Sequence, residues 1–123
     1  MNLVHVVVAI ALIEFIAFAF AVGGARARYN VPAPATTGNE MFERYYRVQM
    51  NTLEQLIVFV PAVLLYGTYW SPTVAAVLGV VFILGRALYY FTYIKDPKKR
   101  GAGFGLTFLP NAWLGGGVLG GAI

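Results

Sequence analysis

The chain has 123 residues, is 59% hydrophobic and only 11% charged, and contains no cysteine. So few polar side chains cannot cover a soluble domain of this size, and disulfides, thiolate metal sites and a protein thiol nucleophile are excluded. The formal charge of +4 has no soluble basic module to sit on, which argues against nucleic acid as a partner, and the single His5 rules out a histidine metal cluster. The solvent that suits such a chain is lipid. One crossing takes ~20 apolar residues, so four crossings would use most of the sequence and leave one domain, residues 1–123, with short loops.

The first predicted span is Leu3–Gly23. It lacks a basic leader and its apolar run is too long for a secretory signal, so it is expected to be retained. Glu14 is its one charge, close to mid-span. A loop follows with Arg26, Arg28, Pro32 and Pro34. Thr37-Gly38-Asn39-Glu40 has the spacing of a capping box, which predicts a helix start near Gly38. The second span is polar from Met41 to Gln55 and apolar from Leu56 to Tyr66, with Pro61 as a predicted kink. An uncharged turn, Gly67–Pro72, is flanked by Tyr66, Tyr69 and Trp70, a candidate interfacial aromatic belt.

The third span is predicted over Thr73–Ile94. A second charged loop, Lys95-Asp96-Pro97-Lys98-Lys99-Arg100, separates it from a fourth span, Phe104–Ile123. The pairs Gly116/Gly120 and Gly117/Gly121 have the four-residue spacing of close helix packing. Nearly all the charge lies in the first and third loops. The positive-inside rule therefore puts those loops in the cytoplasm and both termini outside.

At ~100° per residue, Arg44, Arg47, Asn51 and Glu54 fall on one face of the second span, with Gln55 extending the stripe and Gln49 elsewhere. Arg86, Tyr89 and Tyr93 share a face of the third, and Arg100 stays on that side if the helix runs past Pro97. Arginines near a helix end can simply snorkel to the interface, and tyrosines can be belt residues. Asn51 and Glu54 lie deeper, where a carboxylate is costly and is usually paired and functional. Together the residues predict a polar cavity open to the cytoplasm between spans two and three. Arginines suit carboxylates and a glutamate suits an ammonium group. A small zwitterionic peptide such as glutathione has the complementary pattern.

Phe42-Glu43-Arg44-x-x-Arg47-x-Gln49-x-Asn51-x-x-Glu54 resembles the signature of the MAPEG family, membrane-associated proteins in eicosanoid and glutathione metabolism. Pro32 to Gly38 resembles the first loop of its microsomal glutathione transferase and leukotriene C synthase branch. Arg86-x-x-Tyr89-x-x-x-Tyr93, followed by Arg100, resembles that branch's third helix and the loop after it. The likeness covers about residues 24–100. It implies an all-α integral membrane protein, a bundle of four transmembrane helices assembled as a homotrimer, with glutathione as co-substrate between neighbouring subunits.

By that resemblance, Arg47, Asn51, Glu54, Tyr89 and Tyr93 hold glutathione. Arg26 and Gln49 reach it from the neighbouring subunit, and Arg100 activates its thiol. Gln55 and Ala27 stand where the branch has a tyrosine and a second loop arginine. This difference points away from specialised leukotriene synthesis, toward a general glutathione transferase with peroxidase activity as a further expectation. The acceptor is expected to be a lipophilic electrophile or lipid hydroperoxide. The expected location is a bacterial inner membrane with the active site toward the cytoplasm. Two other readings stay open: a small multidrug-type transporter working through Glu14, and a non-catalytic, lipid-binding member of the same family.

Overall fold

The computed structural model describes residues 2–123. Four α-helices follow one another: α1 (Leu3–Tyr29), α2 (Glu40–Tyr69), α3 (Pro72–Lys95) and α4 (Gly101–Ala122), with a 3₁₀ turn at Pro97–Lys99 between the last two. No strand occurs among the described residues. Short connections make the order up-down-up-down. One end of the bundle therefore collects the C-termini of α1 and α3 and the N-termini of α2 and α4. Helices α2 and α3 form the middle pair, α1 packs on both of them, and α4 does so too.

Three helices, α1, α2 and α3, are long and apolar enough to cross a membrane. At 1.5 Å per residue they run roughly 36–45 Å, longer than the ~30 Å hydrocarbon core. That surplus explains the first departure from expectation. Helix α1 does not stop at Gly23 but continues to Tyr29, so Arg26 and Arg28 lie in its last turns rather than in a loop. Asn30 ends it in the left-handed conformation, φ 57°, that asparagine tolerates, and its N–H returns to the Arg26 carbonyl. The fourth helix has 22 residues and so is long enough. Its most apolar membrane-length stretch falls short of those in the other three, because many of its positions are glycine and Pro110 and Asn111 lie within it.

The start of α2 also differs from expectation. The cap is Asn39, two residues after the expected Thr37: its Oδ1 accepts from the Phe42 N–H at 3.0 Å, and Glu43 reaches back to the Gly38 N–H. Asparagine wins because it caps more strongly than threonine and sits next to the first helical turn. Pro61 lies within an unbroken α2. At the far end, Ser71 caps α3 by accepting from Val74, with Pro72 at its first position.

The core is layered along the bundle. Toward the uncharged end, Phe59 and Phe82 stack at 4.0 Å between α2 and α3, with Val7, Val63 and Leu114 packed around them. Tyr66 belongs to this core rather than to a belt, being 8% exposed, and its ring lies against the Gly117 backbone, where no Cβ would fit. Trp70 donates from Nε1 to the Gly117 carbonyl at 2.7 Å. Of the two glycine pairs, Gly117 and Gly121 make the close approach, to Tyr66 and Tyr69, while Gly116 and Gly120 meet nothing. Outward-facing Ile13, Phe20, Ile57, Phe91 and Leu109 are each more than 60% exposed. Apolar surface on that scale is what lipid or a neighbouring subunit covers.

Candidate functional site

Polar side chains concentrate at the charged end. There Tyr46, Arg47, Met50, Asn51, Glu54, Tyr89 and Arg100 line a cavity of about 210 Å³. Helix α2 supplies five of them along one ridge, at the i, i+3 and i+4 spacings that share a helix face. Tyr89 comes from α3. Arg100 comes from the α3–α4 connection, although α3 does not run on to reach it. The helix ends at Lys95, Asp96 accepts from the Lys98 N–H to start the 3₁₀ turn, and Arg100 stands at the N-terminus of α4. Pro97 forces this break, since it lacks the N–H the next helical turn requires. The tight turn carries the arginine back over the cavity.

The remaining residues singled out from the sequence lie elsewhere. Tyr93 is buried behind the cavity and stacks on Tyr89 at 5.4 Å. Gln49 does not line the cavity. Arg26 is engaged with the loop that follows α1: it donates to the Ala35 carbonyl at 2.7 Å and to the Val31 carbonyl, with its guanidinium over the Phe42 ring. The hollow it borders is a separate one, with Gly23, Ala27, Asn30 and Pro32. Gln55 accepts from the Asn111 amide of α4.

Arg44 departs from the stripe in which its angle placed it. It donates to the Ile94 and Lys95 carbonyls at the end of α3 and pairs with Glu40 at 2.8 Å. Its long side chain has swung across to α3, where the last carbonyls of a helix attract a cation. Arg47 and Arg100 enter no ion pair among the described residues. The cavity thus offers two guanidinium groups outside any ion pair, one carboxylate, one amide and two phenols. That is a donor-rich cradle for an anionic, multiply hydrogen-bonding ligand.

Beneath the cavity lies an arrangement that the sequence pattern did not disclose. Arg86 is fully buried, with its guanidinium 4.3 Å above the Tyr89 ring. It donates to Thr52 and Asn51 of α2 and to Thr107 of α4. Tyr46 and Met50 were likewise missed as lining residues, although their spacing from Glu54 was a usable signal. Thr52 and Thr107 gave almost none, since threonine is common in membrane helices.

Comparison with known proteins now adds to this geometry. The model of the MAPEG family matches residues 3–120. An uncharacterised protein of Synechocystis sp. is 48% identical over 92% of this chain and 82% of its own length. Human microsomal glutathione S-transferase 2 is 42% identical over 73% of this chain and 61% of its own length. Leukotriene C4 synthase of Cavia porcellus is 34% identical over 68% of this chain and 55% of its own length. The chain therefore spans less than two thirds of the length of these two enzymes.

Proposed function

The chain belongs to the MAPEG family, and from that footing we propose that it is a membrane-bound glutathione transferase that conjugates glutathione to lipophilic electrophiles. The observation that carries the reading is the single cavity lined by Arg47, Asn51, Glu54, Tyr89 and Arg100. Arg47 and Asn51 hold the carboxylates of glutathione, Glu54 receives its ammonium group, and Tyr89, backed by Tyr93, flanks it.

Arg100 activates the thiol. The chain has no cysteine, so the nucleophile arrives with the ligand. A free thiol has a pKa of ~8.5 and is only a few per cent thiolate at neutral pH. A neighbouring cation lowers that value and stabilises the thiolate. The thiol proton passes to solvent. The thiolate sulfur then forms a bond to the electrophilic carbon as the leaving group departs with its electron pair. With a hydroperoxide, two glutathione molecules are oxidised to the disulfide while the peroxide is reduced to alcohol and water.

A homotrimer completes this site in our reading. A cavity of about 210 Å³ is smaller than the ~300–1,000 Å³ of ordinary small-molecule sites. Arg26 and Gln49, which lie outside their own chain's cavity, are then the residues a neighbouring subunit contributes. The fourth helix crosses the membrane with the other three, its Gly103 seated against Tyr89 of α3 and its Gly117 and Gly121 against Tyr66 and Tyr69 of α2. The charged end faces the cytoplasm of a bacterial cell and both termini face outward.

Turnover of a chlorodinitrobenzene-type aryl halide by purified protein, with glutathione compared against cysteine and coenzyme A, tests the activity. Failure of glutathione to support conjugation above the other thiols would refute it. The same preparation in mild detergent should have the mass of three chains. Cysteines introduced singly at positions 70 and 98 of the cysteine-free chain test the topology. An impermeant reagent outside intact cells should label position 70 and spare position 98.

A further inference from the structure

Burying a guanidinium inside a membrane protein is costly unless its donors are satisfied and its charge is met. Arg86 satisfies the first condition across three helices. Its Nε donates to Thr52 Oγ1 at 3.2 Å, its Nη1 to Thr107 Oγ1 at 3.2 Å, and its Nη2 to Thr52 Oγ1 and Asn51 Oδ1, both at 2.9 Å. Both threonines are prepared to accept. Thr52 donates its hydroxyl proton to the Val48 carbonyl and Thr107 donates its own to the Gly103 carbonyl, which leaves their lone pairs toward the arginine. The second condition is met in part by the face of the Tyr89 ring, 4.3 Å from the guanidinium.

The bond to Asn51 has a chemical consequence. A guanidinium has donors only, so the Asn51 atom facing it must be the carbonyl oxygen. The amide nitrogen is therefore turned the other way, toward the cavity that Asn51 lines. Left alone, an asparagine side chain offers a donor and an acceptor with equal ease. Held by Arg86, it has its carbonyl oxygen engaged and its two N–H donors left for the cavity.

We infer that Arg86 is a positioning residue, which locks Asn51 as a dedicated donor to a carboxylate of the bound ligand and holds the Tyr89 ring beside it. This rests on the reading of the cavity as a glutathione site and deepens it. Arg86 itself touches no reacting atom. Lysine cannot replace it, because one ammonium is a point charge on a flexible stem and cannot address Asn51, Thr52 and Thr107 with a planar fork.

The test is a binding cycle with glutathione and its diethyl ester, measured on wild type and Asn51→Asp. Aspartate keeps an acceptor for Arg86 but presents no donor to the ligand. Wild type should bind glutathione about tenfold or more tightly than the ester, the size expected of a hydrogen bond to a charged group. Asn51→Asp should lose about that factor for glutathione and little for the ester. In Arg86→Lys, KM for glutathione should rise about tenfold while kcat at saturating glutathione stays within about threefold. Absence of glutathione binding in wild type would sink the proposed function and this inference with it. Glutathione binding that Asn51→Asp keeps at the wild-type level would overturn this inference alone. So would a fall in kcat with KM unchanged in Arg86→Lys.

Discussion

The two ends of the bundle are built on different terms. At the uncharged end, helices meet through stacked rings and bare backbone: Phe59 on Phe82, Tyr66 on Gly117. Lipid tails are as apolar as these side chains, so close packing and not exclusion from water holds them. At the charged end, contacts are made by arginines, and these fall into two groups. Arg26, Arg44 and Arg86 are tied to protein oxygens. Arg47 and Arg100 line the cavity and enter no ion pair among the described residues. The contrast separates cations that hold the fold from cations left free for a ligand, and it does so among residues of one chemical type.

The comparison breaks first at Arg100. Arg100→Leu should lower turnover at neutral pH by about 10²-fold, on the scale at which preorganised charge acts in catalysis, while glutathione affinity stays close to wild type. The thiolate absorbance of bound glutathione should vanish. Normal turnover in this variant would move the activating role to another cation and leave Arg100 as one more charge at the end of the bundle.

A pair of glycine variants sharpens the contrast between the ends. A Cβ at Gly103 would lie 2.6 Å from the Tyr89 Cα, and one at Gly117 would run into the Tyr66 ring. Each valine substitution should cost about 2 kcal/mol by overpacking, read as a lower unfolding temperature in detergent. Only Gly103→Val should also raise KM for glutathione, because it pushes α4, with Arg100 at its start, away from Tyr89. Equal kinetic damage from Gly117→Val would show that the two ends are not independent.

The smallest expected effect belongs to Arg44→Gln. It removes the charged donor from the Ile94 and Lys95 carbonyls, worth about 1–2 kcal/mol, and should leave turnover within about twofold of wild type. A tenfold kinetic loss would return Arg44 to the ligand-binding group.

Much of this was legible beforehand, and the failures have physical causes. Hydropathy gave the helices, and the wheel of α2 brought Arg47, Asn51 and Glu54 to one face. A wheel records where a Cβ points, not how far a side chain reaches. Arginine spans several ångströms, so Arg44 left the face its angle assigned and capped α3 instead. The end of α1 was misjudged by six residues because hydropathy marks where lipid stops, while hydrogen bonding lets a helix continue into water. The Arg86 cluster was illegible for another reason. Its acceptors, Thr52 and Thr107, are 55 residues apart in sequence, and only the packing of α3 against α4 through Gly103 brings them to one guanidinium. The arginine was visible as a residue on the tyrosine face; its partners were not.

The connection between α3 and α4 carries a consequence for how such a site can be retuned. Asp96, the turn Pro97–Lys99 and Arg100 form a short, stiff crank whose far arm is α4 itself. The cation at its elbow has no side-chain bond to steer it; its location is set by how α4 seats on α3 at Gly103 and Tyr89. Sliding α4 by one residue along its axis would carry Arg100 about 1.5 Å, shifting its charge over the cavity without altering any residue that lines it. Substitutions far down α4, on its lipid face or at its glycines, are therefore a route by which the position of this cation can drift while the lining of the cavity stays the same.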